Sequence, residues 1–147
     1  MPGCGSAIML FQKSRADEVR SMMSERRKTV AVVDDDTSML KATQTLLDAH
    51  GFRSIGFSSA DDFLHRDARM RVDCVLLDID LGGESGISLR RRLEAQESKL
   101  PVIFITALES DAVRREAISS GCVAFLRKPF QAQQLVAALA KALPVSN

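Results

Sequence analysis

From residue 29 onward, short apolar runs alternate with longer segments whose apolar residues recur at helical spacing. The runs are 29–33, 52–57, 73–77, 102–105 and 123–126. They are too short for helices, and most are continuously apolar, which is the pattern of strands covered on both faces. Between them, Leu40, Leu46 and Leu47 mark one face of a helix over about 38–50, with Gly51 as its stop. Ser59 and Asp62 fit a capping box for a short helix carrying Phe63 and Leu64. Ile87, Leu89 and Leu93 mark a third helix, and residues 111–120 a fourth that stops at Gly121. The fifth, over 133–143, turns Leu135, Val136, Leu139 and Leu143 inward and is ended by Pro144. Gly82-Gly83-Glu84-Ser85-Gly86 reads only as a loop. This regular alternation predicts an α/β fold, a doubly wound parallel sheet of five strands over residues 29–143.

The flanks differ in character. Residues 1–28 open with Pro2, Gly3, Gly5 and Ser6 and then turn polar; Leu10, Phe11, Val19, Met22 and Met23 are too sparse for a firm amphipathic face. They read as an appendage, flexible or with a short helix over 13–25, without the features of a signal peptide. Residues 144–147 read as a tail. With 46% hydrophobic and 27% charged residues in 147, the chain has enough apolar surface for one core, and no apolar run approaches membrane-spanning length. A net charge of +1 gives no general attraction to nucleic acid or acidic lipid, and the lack of Trp and Tyr removes the usual base-stacking platforms. Neither direct DNA binding nor membrane association is expected. Cys4, Cys74 and Cys122 are odd in number and lack metal-ligand spacing, so they read as reduced thiols in a cytoplasmic protein.

The candidate chemistry sits where the strands end. Val75-Leu76-Leu77-Asp78-Ile79-Asp80 delivers acids straight after a buried strand, Asp34-Asp35-Asp36 follow the first strand, Thr106 the fourth and Lys128 the fifth. In an open parallel sheet these ends share one edge, where ligands bind. Asp78 is not needed as a helix cap, since Ser85 and Gly86 stand nearer the next helix. Asp34, Asp35 and Asp78 brought together repel one another, and a divalent cation with oxygen ligands, Mg²⁺, is the least costly remedy. Thr106 can hydrogen-bond one oxygen of a phosphoryl group and Lys128 can pair with another, which leaves Asp78 as the nucleophile.

These motifs resemble the receiver domain of bacterial two-component response regulators over about 29–143. Val32-Val33-Asp34-Asp35-Asp36 is similar to the family's acidic pair, Leu77-Asp78 to its phosphorylated Asp, and Ile105-Thr106-Ala107 and Lys128-Pro129-Phe130 to its remaining motifs. The resemblance implies a flavodoxin-like receiver fold with strand order 2-1-3-4-5. It implies that Asp35 and Asp78 bind Mg²⁺ directly, Asp34 mostly through water and Asp80 through its backbone carbonyl. Phe125 falls on the aromatic switch position that works with Thr106, and the Lys128-Pro129 bond is expected to be cis. Such a domain is a signalling receiver that catalyses only its own phosphorylation and dephosphorylation. A histidine kinase or histidine phosphotransfer protein would phosphorylate Asp78, and the signal would pass to a downstream protein partner through the fourth helix, fifth strand and fifth helix. A stand-alone regulator is expected, because no output segment follows Leu143, and homodimerisation on phosphorylation is compatible with it.

The family usually has proline in the loop after the acceptor; this chain has Gly82, with Gly86 at the usual glycine. Glycine has more freedom to lose than proline, so a more mobile loop is expected. Asp80 and Leu108 hold the two positions that border the approach of water in that family. Asp78-Ile79-Asp80 is also similar to the nucleophile and general-acid pair of haloacid-dehalogenase phosphatases. That family, however, has its pair on the first strand, acidic ligands downstream and a cap domain for which there is no room here. A receiver-like scaffold that never takes phosphate is a third reading, opposed by the complete acceptor set. The remaining polar residues read plainly: Arg26-Arg27-Lys28 and Arg90-Arg91-Arg92 as solvated runs, His50 and His65 as surface or capping residues, and Asp61, Asp62 and Asp67 as partners of helix ends. Glu84 has no assigned role.

Overall fold

The computed structural model describes residues 27–143; the helix expected over 13–25 and the tail over 144–147 lie outside them. The elements run β1 (Thr29–Val33), α1 (Thr37–Ala49), β2 (Arg53–Phe57), α2 (Ala60–Leu64) and β3 (Cys74–Asp78). There follow β4 (Asp80–Leu81), β5 (Glu84–Ser85), α3 (Gly86–Ala95), β6 (Val102–Thr106), α4 (Asp111–Ser119), β7 (Ala124–Arg127) and α5 (Ala132–Ala142). Five strands form one parallel sheet in the order β2-β1-β3-β6-β7. Counting only these five, that is 2-1-3-4-5, the doubly wound flavodoxin-like fold expected.

β1, β3 and β6 are buried along their whole length, and alternate side chains sort onto the two faces of the sheet. Val30, Val32, Leu76, Ile103 and Ile105 pack against Leu47 of α1 and Leu135 and Leu139 of α5. Val33, Val75, Leu77 and Phe104 pack against Phe63 of α2, Ile87, Leu89 and Leu93 of α3 and Ala117 of α4. Each large side chain buried in this way contributes about 1.5–3 kcal/mol. Three central strands fixed from both faces give the sheet a rigid C-terminal edge.

Several local expectations are corrected. The segment taken as only a loop is a hairpin: Asp80 pairs with Ser85 and Leu81 with Glu84 across a Gly82-Gly83 turn. Two glycines between short extended segments are what a tight hairpin needs. Gly86 already belongs to α3. β3, β6 and β7 each run one residue further than expected, because the ladder continues through Asp78 opposite Ile105 and Thr106 opposite Arg127. Val136 is 36% exposed, and Ala138 and Ala142 complete the buried face of α5 instead. In the arginine run, Arg91 and Arg92 are solvated and pair with Glu116 and Glu84. Arg90 is not: its side chain is 16% exposed and its guanidinium lies beside Gly121. Ser59 Oγ accepts from Asp62 N at 3.0 Å, but the Asp62 carboxylate takes the Ser58 hydroxyl instead of closing a capping box. Among the described residues no helix is long and apolar enough to cross a membrane.

Candidate functional site

Asp34 follows β1 directly and is held there by its own N–H, which donates to Phe57 O at 3.0 Å. It is 4% exposed, and its Oδ1 accepts from Asp36 N at 2.9 Å. Asp36 itself caps α1, accepting from Ser38 N at 3.0 Å and Met39 N at 3.2 Å. The acidic triplet therefore divides its work: Asp36 serves the helix, and Asp34 and Asp35 face the sheet edge.

Asp78 is the last residue of β3 and is 7% exposed. Ile79 N donates to Ile105 O at 2.9 Å, so the strand end is anchored just beyond it. Asp80 N donates to Asp78 Oδ1 at 2.9 Å. From the other side of the sheet edge, Lys128 is set by its N–H to Thr106 O at 2.7 Å. The Lys128-Pro129 bond is cis, as the resemblance implies. Lys128 Nζ donates to Asp78 Oδ2 at 2.7 Å and to Asp34 Oδ2 at 2.9 Å. Asp35 is exposed, and one oxygen from each of Asp34, Asp35 and Asp78 lies within 4.8 Å of the others.

One ammonium thus faces three carboxylates, two of them buried. Burial pushes the Asp78 carboxyl up from its ordinary value and the charge of Asp34 adds to the rise, against hydrogen bonds from Lys128 and Asp80 N that pull it down. For Lys128, burial acts to lower the pKa, but the hydrogen bonds and charges of Asp78 and Asp34 outweigh it and hold the ammonium above its ordinary value. The Asp78 shift is thus first an effect of burial, and the Lys128 shift an effect of its two acidic partners. A donor set made only of carboxylate oxygens, close enough to share one ion, fits a hard divalent cation.

Thr106, wholly buried at the end of β6, accepts from Leu108 N at 3.0 Å through its Oγ1, so the hydroxyl proton stays available to an acceptor. Among the described residues no hydrogen bond joins it to the carboxylates. Asp80 begins β4; it is exposed, and its Oδ1 accepts from Gly82 N at 3.3 Å. Phe125 lies on β7 with the Arg114 guanidinium 6.0 Å from its ring centroid. It shares with Leu108, Ser110, Arg114 and Arg127 a cavity of about 440 Å³. His50 and His65 hydrogen-bond the carbonyls of Leu46 and Asp61 at helix ends, as expected.

Two contributions had not been foreseen. A Cβ on Gly86 would run into the carbonyl oxygen of Asp78 and lie 3.1 Å from Ile79 Cα. α3 therefore starts directly against the backbone that carries Asp78, with Gly86 N donating to Ile79 O at 2.8 Å. A glycine at a helix start is a signal for close approach, but it does not say to what. Glu84 accepts from Ser88 Oγ at 3.2 Å and from the Arg92 guanidinium at 2.8 Å, tying the hairpin to α3 and not joining the acids.

The family model described as the response regulator receiver domain matches residues 30–140. The response regulator protein TmoT of Ectopseudomonas mendocina is 30% identical over 138 residues, which cover 94% of this chain and 63% of that one. The transcriptional regulatory protein FixJ of Bradyrhizobium diazoefficiens is 34% identical over 114 residues, 78% of this chain and 56% of its own. The chain thus spans less than two thirds of the length of these relatives. Among solved structures, a response regulator receiver protein from Burkholderia phymatum superposes with a TM-score of 0.72 at 36% identity, covering 82% of this chain and 98% of that one.

Proposed function

Because the chain belongs to the response regulator receiver domain family, we propose that Asp78 accepts a phosphoryl group from the phosphohistidine of a histidine kinase or a histidine phosphotransfer protein. One observation carries this reading: Lys128 Nζ bridges Asp78 and Asp34 at 2.7 and 2.9 Å at the mouth of the sheet, with Asp35 completing the acidic cluster. A carboxylate oxygen of Asp78 bonds to phosphorus, the phosphorus–nitrogen bond breaks, and its electron pair returns to the donor imidazole. Mg²⁺, which Asp35, Asp78 and the backbone carbonyl of Asp80 would hold directly and Asp34 mostly through water, would neutralise the phosphoryl oxygens when bound.

Asp78 is fixed by Asp80 N and by the strand beneath it, so the nucleophile is oriented before the donor arrives. Lys128 then pairs with a phosphoryl oxygen in place of Asp78 Oδ2, and the Thr106 hydroxyl donates to another. Drawing Thr106 toward the phosphoryl group makes room for Phe125 to turn inward. That change reaches the face of α4, β7 and α5, where a protein partner reads it. A histidine-kinase donor places this chemistry in the cytoplasm. The test is intact-mass analysis after incubation with a small-molecule phosphodonor and Mg²⁺. One added phosphoryl group is expected, and none in Asp78→Asn; undiminished labelling of the variant would remove Asp78 from its role.

A further inference from the structure

α5 buries one side through Leu135, Ala138, Leu139 and Ala142. Its other side is unlike the outer faces of the neighbouring helices. α3 exposes Arg91, Arg92 and Glu94, and α4 exposes Arg114, Arg115 and Glu116, whereas Lys141 is the only charged residue of α5. Val136 is 36% exposed, and Ala137 and Ala140 are exposed beside it. With Ala132, Gln133 and His50 they line a groove of about 430 Å³. Three alanines and a valine leave a depression, and what fills a depression lined by small apolar residues is a set of larger apolar side chains. We propose that the run Ala7-Ile8-Met9-Leu10-Phe11 of this same chain docks in that groove, so that the N-terminal segment is the partner of the outer face of α5.

Where the segment joins the fold favours this occupant. Lys28 O accepts from Arg53 N at 2.9 Å, and Arg53 stands three residues after His50, which lines the groove. The chain therefore enters β1 beside the His50 end of the groove. Residues 12–27 separate the run from Lys28; even wholly helical they would span about 24 Å, more than the roughly 16 Å of α5. The run can thus reach any part of the groove, and it is uncharged, so docking desolvates no ion. Size favours a tethered partner over a second copy. Three alanines and a valine fall far short of the roughly 800 Å² per partner of a stable interface between separate chains. A segment of the same chain meets the groove at an effective concentration on the order of 1 mM, so a weak contact suffices.

The test places a nitroxide spin label on Cys4 of the full chain, close upstream of the run, and reads the loss of backbone amide NMR intensity relative to the reduced label. Cys74 is buried, and Cys122→Ser removes the remaining thiol. The amides of Val136, Ala137 and Ala140 should lose most of their intensity, and those of α2 and α3, on the other face of the sheet, should keep theirs. Leu10→Glu with Phe11→Glu, and separately Val136→Glu, should restore the α5 signals; these positions lie off the core, and thermal melts verify that each variant is folded. Broadening that persists in both variants, that centres on another element or that is absent from α5 would overturn the proposal. A mixture of spin-labelled chain with isotope-labelled chain lacking the nitroxide should show no loss. The same α5 pattern in that mixture would make a second copy the occupant and overturn it too.

Discussion

Gly86→Ala should dislodge the end of β3 that carries Asp78. The added Cβ would overlap the carbonyl oxygen of Asp78 and stand 3.1 Å from the carbonyl carbon of Asp78 and from Ile79 Cα. All three are backbone atoms, and Ile79 N is bound to Ile105 O, so the strand cannot simply step aside. Relief requires α3 to lift, which stretches the 2.8 Å bond from Gly86 N to Ile79 O. Overpacking of this kind costs about 1–3 kcal/mol, and a weakened hydrogen bond adds about 1 kcal/mol. The better helix propensity of Ala returns at most about 1 kcal/mol. The net loss of about 1–3 kcal/mol corresponds to a fall in Tm of roughly 4–12 °C for a domain of this size. Scanning calorimetry of wild type and variant measures the stability. The rate of phosphorylation by a small-molecule phosphodonor, taken well below Tm, measures the site. Labelling should slow although the protein is folded, because moving the Asp78 carbonyl also moves its carboxylate away from Lys128 and Asp80 N. A variant with unchanged Tm and unchanged labelling would refute the close-approach argument.

Asp35→Ala should weaken Mg²⁺ binding with little change in Tm, whereas Asp36→Ala should lower stability by about 1 kcal/mol through loss of the α1 cap and leave Mg²⁺ binding in place; calorimetry and metal titration on both variants check this, and equal metal loss would mean that the triplet divides its roles differently. Replacing Leu108 with Gln or Asn should speed loss of the phosphoryl group from purified phosphoprotein, with Mg²⁺ present and no kinase, by about tenfold, equivalent to roughly 1.4 kcal/mol of barrier. Unchanged or slower decay in both variants would show that an apolar side chain at this position does not control the approach of water.

Much of this protein was already determined by its sequence. Thr29 to Val33, Val75 to Leu77 and Val102 to Ile105 had to be buried strands, because an apolar run without polar alternation can be satisfied only between two covering layers. With these and two further strand-length runs separated by helical segments, the parallel sheet followed, and with it the common edge shared by Asp34, Asp78, Thr106 and Lys128. Period and capping are local signals, which is why the strand edges were off by only one residue. What the tertiary structure alone decided were contacts between distant segments. Lys128 reaches Asp34 across 94 positions of the chain, and no local pattern says that one amine will bridge two acids. Arg90 belongs to a run of three arginines yet lies largely covered beside Gly121, while Val136 turns outward and Ala138 inward. Gly86 reads as a loop residue ahead of a helix until the Asp78 carbonyl is found against it, and Gly82 as a loop residue until Asp35 is found beside it. In each case the deciding quantity is the distance between groups on different elements. Packing of the whole chain sets that distance, and it leaves no periodic trace in either segment.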